Sequence, residues 1–358
     1  MNQPRIAVIG GGFGGLALAV RLQAAGLSTT LVERRDRAGG RGYVYRDEGF
    51  TFDAGPTVIT APTAIEELFE GAGRRIGDYV EMLPVMPFYR LYWEDGYSFD
   101  YSNDLDATNK QIAERSPRDV EGYRRFLDYA DEVFEEGYTK LAHVPFLNWW
   151  SMIRVSPQLI RLQSYRIVYS VVSRFIKDPR FRETFSFHSL LVGGNPFTTS
   201  AIYTLIHALE RRWGVFFPRG GTGALVDGLV RLFRDLGGEL RLNCNVDQIL
   251  TRDGRVTGVR SRDGWSGDFD VVASNGDVVH TYGHLLRSEP RAKPAVSGLM
   301  KQRYSMSLFV IYFGTRSRHP HLAHHNILFG PRYRELLKDI FARGELADDF
   351  SLYLHAPT

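Results

Sequence analysis

Four consecutive apolar residues, Ile6–Ile9, run into a cluster of glycines, Gly10-Gly11-Gly12-Phe13-Gly14-Gly15. Small and apolar residues then recur at helical spacing, and a second strand-like run, Thr29–Val32, ends on Glu33. This pattern predicts strand, helix and parallel strand in immediate succession. Phe50–Asp53 is a short extended run that turns at Gly55-Pro56, and Pro62 opens a helix. The aromatic runs 88–93 and 97–101 flank Glu94-Asp95-Gly96, a hairpin signal. From Ser116 the text turns helical, with Ser116 as N-cap and Pro117 at the first helical position, and the helical pattern continues to about Trp213. Extended character returns at Phe216-Phe217-Pro218, followed by Arg219-Gly220-Gly221-Thr222-Gly223 and a helix over 224–236. Residues 246–262 read as strands hinged at Asp253-Gly254. Residues 270–274 read as a strand ending at Asn275-Gly276-Asp277, and 307–314 and the closing stretch from Ser351 as further strands. Five segments are therefore expected: a nucleotide-type α/β domain over 1–80 that resumes over 215–295, a β segment over 81–115, a helical insert over 116–214, and a last segment over 296–358.

A chain of 358 residues is long enough for two or more cores. Its apolar fraction of 44% is that of a globular protein, and a net charge of +3 gives no reason to expect a nucleic-acid partner. The single cysteine, Cys244, cannot form an internal disulfide or a thiolate metal site and fits a reducing compartment. No run of about 18 uncharged apolar residues is present to span a bilayer, and the N-terminal apolar run passes straight into the glycine turn, unlike a signal peptide.

The glycines carry the chemistry. Gly10, Gly12 and Gly15 form G-x-G-x-x-G between a strand and a helix, the arrangement that holds a dinucleotide. Gly10 permits the tight turn, Gly12 lets the backbone approach a pyrophosphate, and Gly15 lets helix and strand pack closely. The helix N-terminus offers free N–H groups to phosphate. Glu33 lies about 20 residues further on, where an acid accepts hydrogen bonds from a ribose. Gly39-Gly40-Arg41 follows as a second close-approach turn with a cation beside it. Read alone, the fingerprint does not distinguish FAD from NAD.

From Gly137 to Lys177 there is no Asp or Glu, while Lys140, Arg154, Arg161, Arg166, Arg174 and Lys177 alternate with Phe146, Leu147, Trp149, Trp150, Met152 and other large apolar residues. Paired tryptophans beside arginines suit the headgroup zone of a membrane surface; a helical domain with solvated arginines is the alternative. His319, His321, His324 and His325 have no recognised metal-ligand spacing, and Pro320 breaks any helix there, so a polar loop without metal is expected. His188 and His207 sit in apolar helical text as core or cavity residues. Asn275 and Asp277 either cap the next helix or contact the cofactor.

Taken together, Gly10–Gly15 with Glu33 and Gly39-Gly40-Arg41, the run Phe52-Asp53-Ala54-Gly55-Pro56-Thr57, Pro117-Arg118-Asp119, Phe187-His188 with Gly193-Gly194-Asn195-Pro196, Phe217–Gly223, Asp277 with His280, His324-His325 and Phe329–Leu337 resemble the bacterial-type phytoene desaturases. The resemblance covers essentially the whole chain. It implies an α/β fold: a Rossmann-like FAD-binding domain of glutathione-reductase/amine-oxidase type, interrupted by a mixed α+β substrate domain and a helical, membrane-facing insert. It further implies an FAD enzyme that removes hydrogen stepwise from phytoene and partly desaturated carotenes toward lycopene. Such an enzyme would be bound peripherally on the cytoplasmic side of the membrane, with quinone or oxygen as electron acceptor. Gly10, Gly12, Gly14, Gly15, Glu33, Arg34, Gly40 and Arg41 would hold the ADP part. Gly55, Pro56 and Thr57 would run beside the flavin, and Val246, Asn275 and Asp277 would complete the contacts. No catalytic acid or base follows from the resemblance; Arg118 and Asp119 are candidates, and a helix start explains them equally well. Gly276 stands where alanine is expected. The family continues past residue 358 into a second glycine-rich flavin segment, so the chain is expected to be a C-terminally incomplete piece. A carotenoid isomerase, another desaturase on the same scaffold, or an inactive fragment are the alternatives.

Overall fold

The computed structural model describes residues 3–142, 144–145, 148–302 and 304–357. Phe146 and Leu147 of the basic aromatic stretch lie outside them. In chain order the elements begin with β1 (Ile6–Ile9), α1 (Phe13–Ala24), β2 (Thr29–Val32), β3 (Val44–Asp47), β4 (Phe50–Asp53), α2 (Pro62–Glu70) and β5 (Met82–Pro84). Then come β6 (Tyr89–Tyr92), β7 (Ser98–Tyr101), α3 (Leu105–Arg115), α4 (Asp119–Phe134), α5 (Trp149–Arg161), α6 (Val168–Phe175), α7 (Pro179–Thr184), α8 (His188–Leu191) and α9 (Leu205–Trp213). The chain returns through β8 (Phe216–Pro218), α10 (Thr222–Asp235), β9 (Glu239–Arg241), β10 (Val246–Arg252), β11 (Arg255–Ser261), β12 (Ser266–Asp268), β13 (Val271–Ser274), α11 (Val278–His280) and α12 (Lys293–Leu299). It continues with β14 (His325–Leu328), α13 (Tyr333–Lys338) and β15 (Leu352–His355). Two compact units result: residues 1–83 with 216–304, and residues 84–215 with 305–358.

The first unit is built on a parallel sheet in the order β13-β1-β2-β9. β1 and β2 are buried along their whole length, which is why they read as unbroken apolar or β-branched runs rather than as alternation. Val8 and Leu31 point to one face, into a core with Leu16, Val20, Phe69, Leu229 and Phe233 from α1, α2 and α10. Ala7, Ile9 and Val32 point to the other, against Val246, Ile249, Val259 and Phe269 from the antiparallel sheet β10-β11-β12 and the segment beyond it. The buried Cys244 belongs to this second core.

The second unit carries the sheet β15-β14-β6-β7. The hairpin expected around Glu94-Asp95-Gly96 forms, with Tyr89 opposite Tyr101. Helices surround it, and their aromatic core includes Tyr123, Phe126, Phe181 and Phe185, all essentially without exposure. α4 passes close to the C-terminal end of α6: a Cβ at Gly122 would run into the Phe175 carbonyl. Two expectations fail here. The helix expected from Ser116 begins at Asp119, because the Asp119 side chain turns back to receive the Ser116 hydroxyl and Pro117-Arg118 is spent on the turn. The stretch 307–314 forms no strand; Leu308, Phe309 and Ile311 are 77%, 93% and 69% exposed, and no ladder partner meets them among the described residues.

Candidate functional site

The C-terminal ends of three neighbouring parallel strands meet in the first unit. Gly10 follows β1, Glu33 follows β2 and Asn275 follows β13, and each continues its ladder by one bond: Gly10 N–H to Val32 O at 2.8 Å, Glu33 N–H to Arg241 O at 2.8 Å, and Asn275 N–H to Ile9 O at 2.8 Å. Strand order reverses on either side of β1, and this is where open α/β sheets bind ligands.

At that point the chain builds a stack of turns almost free of side chains. Gly39 donates its N–H to Gly11 O at 2.7 Å and bridges Gly12 as a parallel pair. Gly39 and Gly40 have φ of +126° and +58°, a region that side chains disfavour. A Cβ on Gly40 would lie 2.9 Å from Gly12 Cα, and one on Gly55 would run into Gly42 Cα. The turns at Gly12, Gly40 and Gly55 therefore pack backbone on backbone, leaving room for a ligand that side chains would otherwise fill. α1 starts on Gly12 with no side-chain cap among the described residues and no acid in its first turn. Its leading N–H groups keep their capacity to donate to an anion.

Glu33 is buried at 5% exposure. Its Oε2 accepts the Gly11 N–H at 2.7 Å and its Oε1 the Arg35 N–H at 2.9 Å. Each oxygen retains a second lone pair, so the carboxylate both holds the glycine turn and can accept from a hydroxyl. Arg34 and Arg41 are exposed beside it. Asn275 lies over the glycine turn: its Nδ2 donates to Gly10 O at 3.4 Å, and its side chain stands 3.2 Å from where a Cβ of Gly12 or Gly15 would be. Gly14, on the same turn, is exposed. Asp277 instead caps α11, its Oδ1 accepting from Val279 and His280 at 2.9 and 3.0 Å. Val246 is buried on β10, opposite Ser261; two residues before it, the Cys244 backbone N–H donates to Glu33 O at 2.9 Å.

The Gly55-Pro56-Thr57 loop is pinned by residues that the sequence reading did not assign to the site. Asp53 Oδ1 accepts the Gly223 N–H at 3.0 Å, a Cβ on Gly221 would collide with the same carboxyl, and Thr222 donates its hydroxyl to Pro56 O at 2.9 Å. Burial pushes the Asp53 carboxyl up, opposed by the amides of Gly223 and Thr222. The signal was present in the two glycine-rich runs, 52–57 and 217–223, whose pairing only the fold reveals.

The second unit holds two clusters of titratable groups. His188 Nε2 approaches Glu210 Oε2 to 3.1 Å, off the hydrogen-bond axis; Tyr89 donates to Glu210 Oε1 at 2.6 Å, and the Tyr101 hydroxyl pairs with His207 Nδ1 at 2.9 Å. Burial pushes Glu210 up to about 7 and both histidines down to about 3, so all three are neutral around pH 5. The other cluster is His324, His325 and His355. His324 and His325 are buried at 4% and 0% exposure, which overturns the expected polar loop for these two residues. Asp119 is fully buried: Oδ1 accepts the Lys177 N–H at 2.7 Å, and Oδ2 accepts the Asp178 N–H at 2.7 Å and the Ser116 hydroxyl at 2.9 Å. Those bonds tie the start of α4 to the segment between α6 and α7, the work of a positioning carboxylate. Arg118 precedes α4 as its N-cap residue without a side-chain capping bond among the described residues.

Residues 13–351 match the family described as flavin containing amine oxidoreductase. The chain is 61% identical to the lycopene-forming phytoene desaturase of Pseudescherichia vulneris, over 98% of this chain and 71% of that protein. It is 42% identical to the neurosporene-forming phytoene desaturase of Rhodobacter capsulatus, over 99% of this chain and 68% of that one. A solved oxidoreductase from Methanosarcina mazei superimposes with a TM-score of 0.55 at 17% identity, over 83% of this chain and 64% of that chain, a likeness of fold alone. The chain thus spans about 71% of the length of the first of these relatives and under two thirds of the solved structure. A cradle of glycine turns at three strand ends, with a helix N-terminus and a ribose-competent acid, fits the flavin nucleotide of such a family. The chain therefore belongs to the phytoene desaturases, within the flavin-containing amine oxidoreductases, and FAD is its cofactor.

Proposed function

We propose that this chain desaturates phytoene stepwise toward lycopene. The observation that carries the reading is the 61% identity to a lycopene-forming desaturase across 98% of the chain, against 42% to a neurosporene-forming one. Bound FAD would supply the two-electron acceptor, taking a hydride from an allylic carbon while a proton leaves the neighbouring carbon. The chain's own residues bind and orient. Gly10, Gly12, Gly14, Gly15, Gly40 and Asn275 would frame the pyrophosphate, with Arg34 and Arg41 as nearby cations and Glu33 toward the ribose. Val246 would border the nucleotide, and Asp277 would act through the cap that follows Asn275. Gly55, Pro56 and Thr57, braced by Asp53 and Thr222, would face the ring.

A hydrocarbon with no polar handle must be drawn from a lipid phase. No helix among the described residues is long and apolar enough to cross a membrane. α5 has no buried residue, and it exposes Trp149 (69%), Trp150 (67%), Met152, Ile153 and Ile160. An exposed apolar face flanked by Arg154 and Arg161 supports peripheral attachment to anionic lipid. In this reading the enzyme sits on the cytoplasmic side, and a quinone or oxygen removes the electrons.

The test is incubation of the purified, FAD-loaded chain with phytoene in liposomes, followed by chromatography of the carotenes. Lycopene is the expected end product. Accumulation of neurosporene sets a shorter series, geometric isomers with an unchanged number of double bonds indicate an isomerase, and unchanged phytoene refutes the reading for this chain.

A further inference from the structure

We propose that His324, His325 and His355 form a binding site for one divalent transition-metal ion of the zinc class. β14 and β15 run antiparallel with His325 directly opposite His355, and His324 sits one residue before β14. One ligand nitrogen from each ring lies within 4.8 Å of the others. His324 Nε2 and His355 Nε2 share a hydrogen bond at 3.0 Å, a separation close to the roughly 3.3–3.4 Å that two imidazoles adopt on a tetrahedral zinc with Zn–N near 2.0–2.1 Å, so an ion would replace the shared proton. His325 Nε2 is buried and has no hydrogen-bond partner among the described residues, a state that buried polar groups rarely keep. A metal ion would give that nitrogen its partner.

The outer groups are also in place. Tyr353, on β15, holds His325 Nδ1 through its hydroxyl at 2.8 Å. In the tautomer that donates Nδ1–H to Tyr353, the lone pair of His325 falls on Nε2, the unpartnered nitrogen that would ligate the ion; orienting partners of this kind accompany metal-bound histidines. The ligands stand on two paired strands rather than on a loop, and β14 is further held by its parallel pairing with β6. Three imidazoles and no carboxylate select zinc, nickel or copper over magnesium and calcium, which require oxygen. The ion would staple β15 to β14, with water in the fourth position.

The measurement is calorimetric titration of the chelator-treated, full chain with zinc chloride. One equivalent is expected to bind, with magnesium unable to compete, and cobalt substitution should give the intense visible bands of a tetrahedral site. His325→Gln and His355→Gln should each remove saturable binding. Tyr353→Phe should weaken it by about 10–100-fold, the usual effect of losing an orienting partner. The double variant His319→Gln/His321→Gln, on the adjacent exposed loop, should bind as the unmodified chain does. Absence of saturable zinc binding overturns the proposal, as does binding that survives His355→Gln but is lost on changing His319 and His321, or His188. Should His325→Gln fail to fold, the cobalt spectrum of the unmodified chain and the half-buried His355 still decide: octahedral cobalt bands overturn the site.

Discussion

Replacing Asp119 separates a catalytic carboxylate from a structural one. Its oxygens accept two backbone N–H groups, from Lys177 and Asp178, at 2.7 Å, and the Ser116 hydroxyl at 2.9 Å. Hydrogen bonds to a charged acceptor contribute about 1.5–3 kcal/mol each, and the two amides are only part-buried, so water replaces a share of the loss. Asp119→Ala should therefore cost about 4 kcal/mol, and Asp119→Asn, which keeps one acceptor oxygen, about 2 kcal/mol. For a unit of this size each kcal/mol shifts the midpoint by about 2–4 °C, so the alanine variant should unfold about 10 °C lower. Differential scanning calorimetry reads the shift, and flavin absorbance shows whether the first unit stays loaded. Turnover of Asp119→Asn, measured well below its midpoint, should match the unmodified chain. An Asp119→Asn variant that unfolds at the original temperature yet makes no lycopene would refute the reasoning and return Asp119 to the list of catalytic groups.

Three further outcomes follow from the same geometry. Gly40→Ala places a Cβ 2.9 Å from Gly12 Cα at a φ of +58°, and should strip FAD from the purified protein, read as the flavin-to-protein absorbance ratio; a ratio equal to that of the unmodified chain would count against the turn stack as the cofactor cradle. Glu210 has its folded pKa raised to about 7 from an unfolded value near 4.3. Its stabilising contribution is present below pH 4.3 and lost as pH rises to 7, while His188 and His207, lowered to about 3, favour the folded state progressively as pH rises from 3 to 6.5. Glu210→Gln should then steepen the rise of stability with pH between 4.5 and 6.5 by about 1.4 kcal/mol per pH unit in urea titrations, and parallel slopes would show that Glu210 is ionised in the fold. Trp149→Ala with Trp150→Ala should abolish co-sedimentation with anionic liposomes at low salt without lowering the unfolding temperature, because both rings are about two-thirds exposed; unchanged sedimentation would remove α5 as the attachment surface.

What could be read before the fold was known has a common physical character. The glycines at 10, 15, 39 and 40 are legible because their constraint is local: a positive φ or an approach of two backbones excludes every side chain. β1 and β2 are legible for a related reason, since a strand buried on both faces reads as an unbroken apolar or β-branched run. The misread stretches all depend on partners distant in sequence. Residues 307–314 have the composition of a strand, but a strand exists only through its neighbour, and none pairs with it among the described residues. His324 and His325 look like a polar loop after Pro320, and are buried because His355 and Tyr353 arrive on a paired strand some 30 residues later. Asp119 looks like a helix start and is one, yet its charge is spent on amides 58 and 59 residues away. The proposed flavin cradle divides along this line. The glycine fingerprint is local and was found, whereas the brace of Asp53 on Gly221 and Gly223 joins two segments 170 residues apart, and so emerges only once the interrupted α/β unit closes on itself.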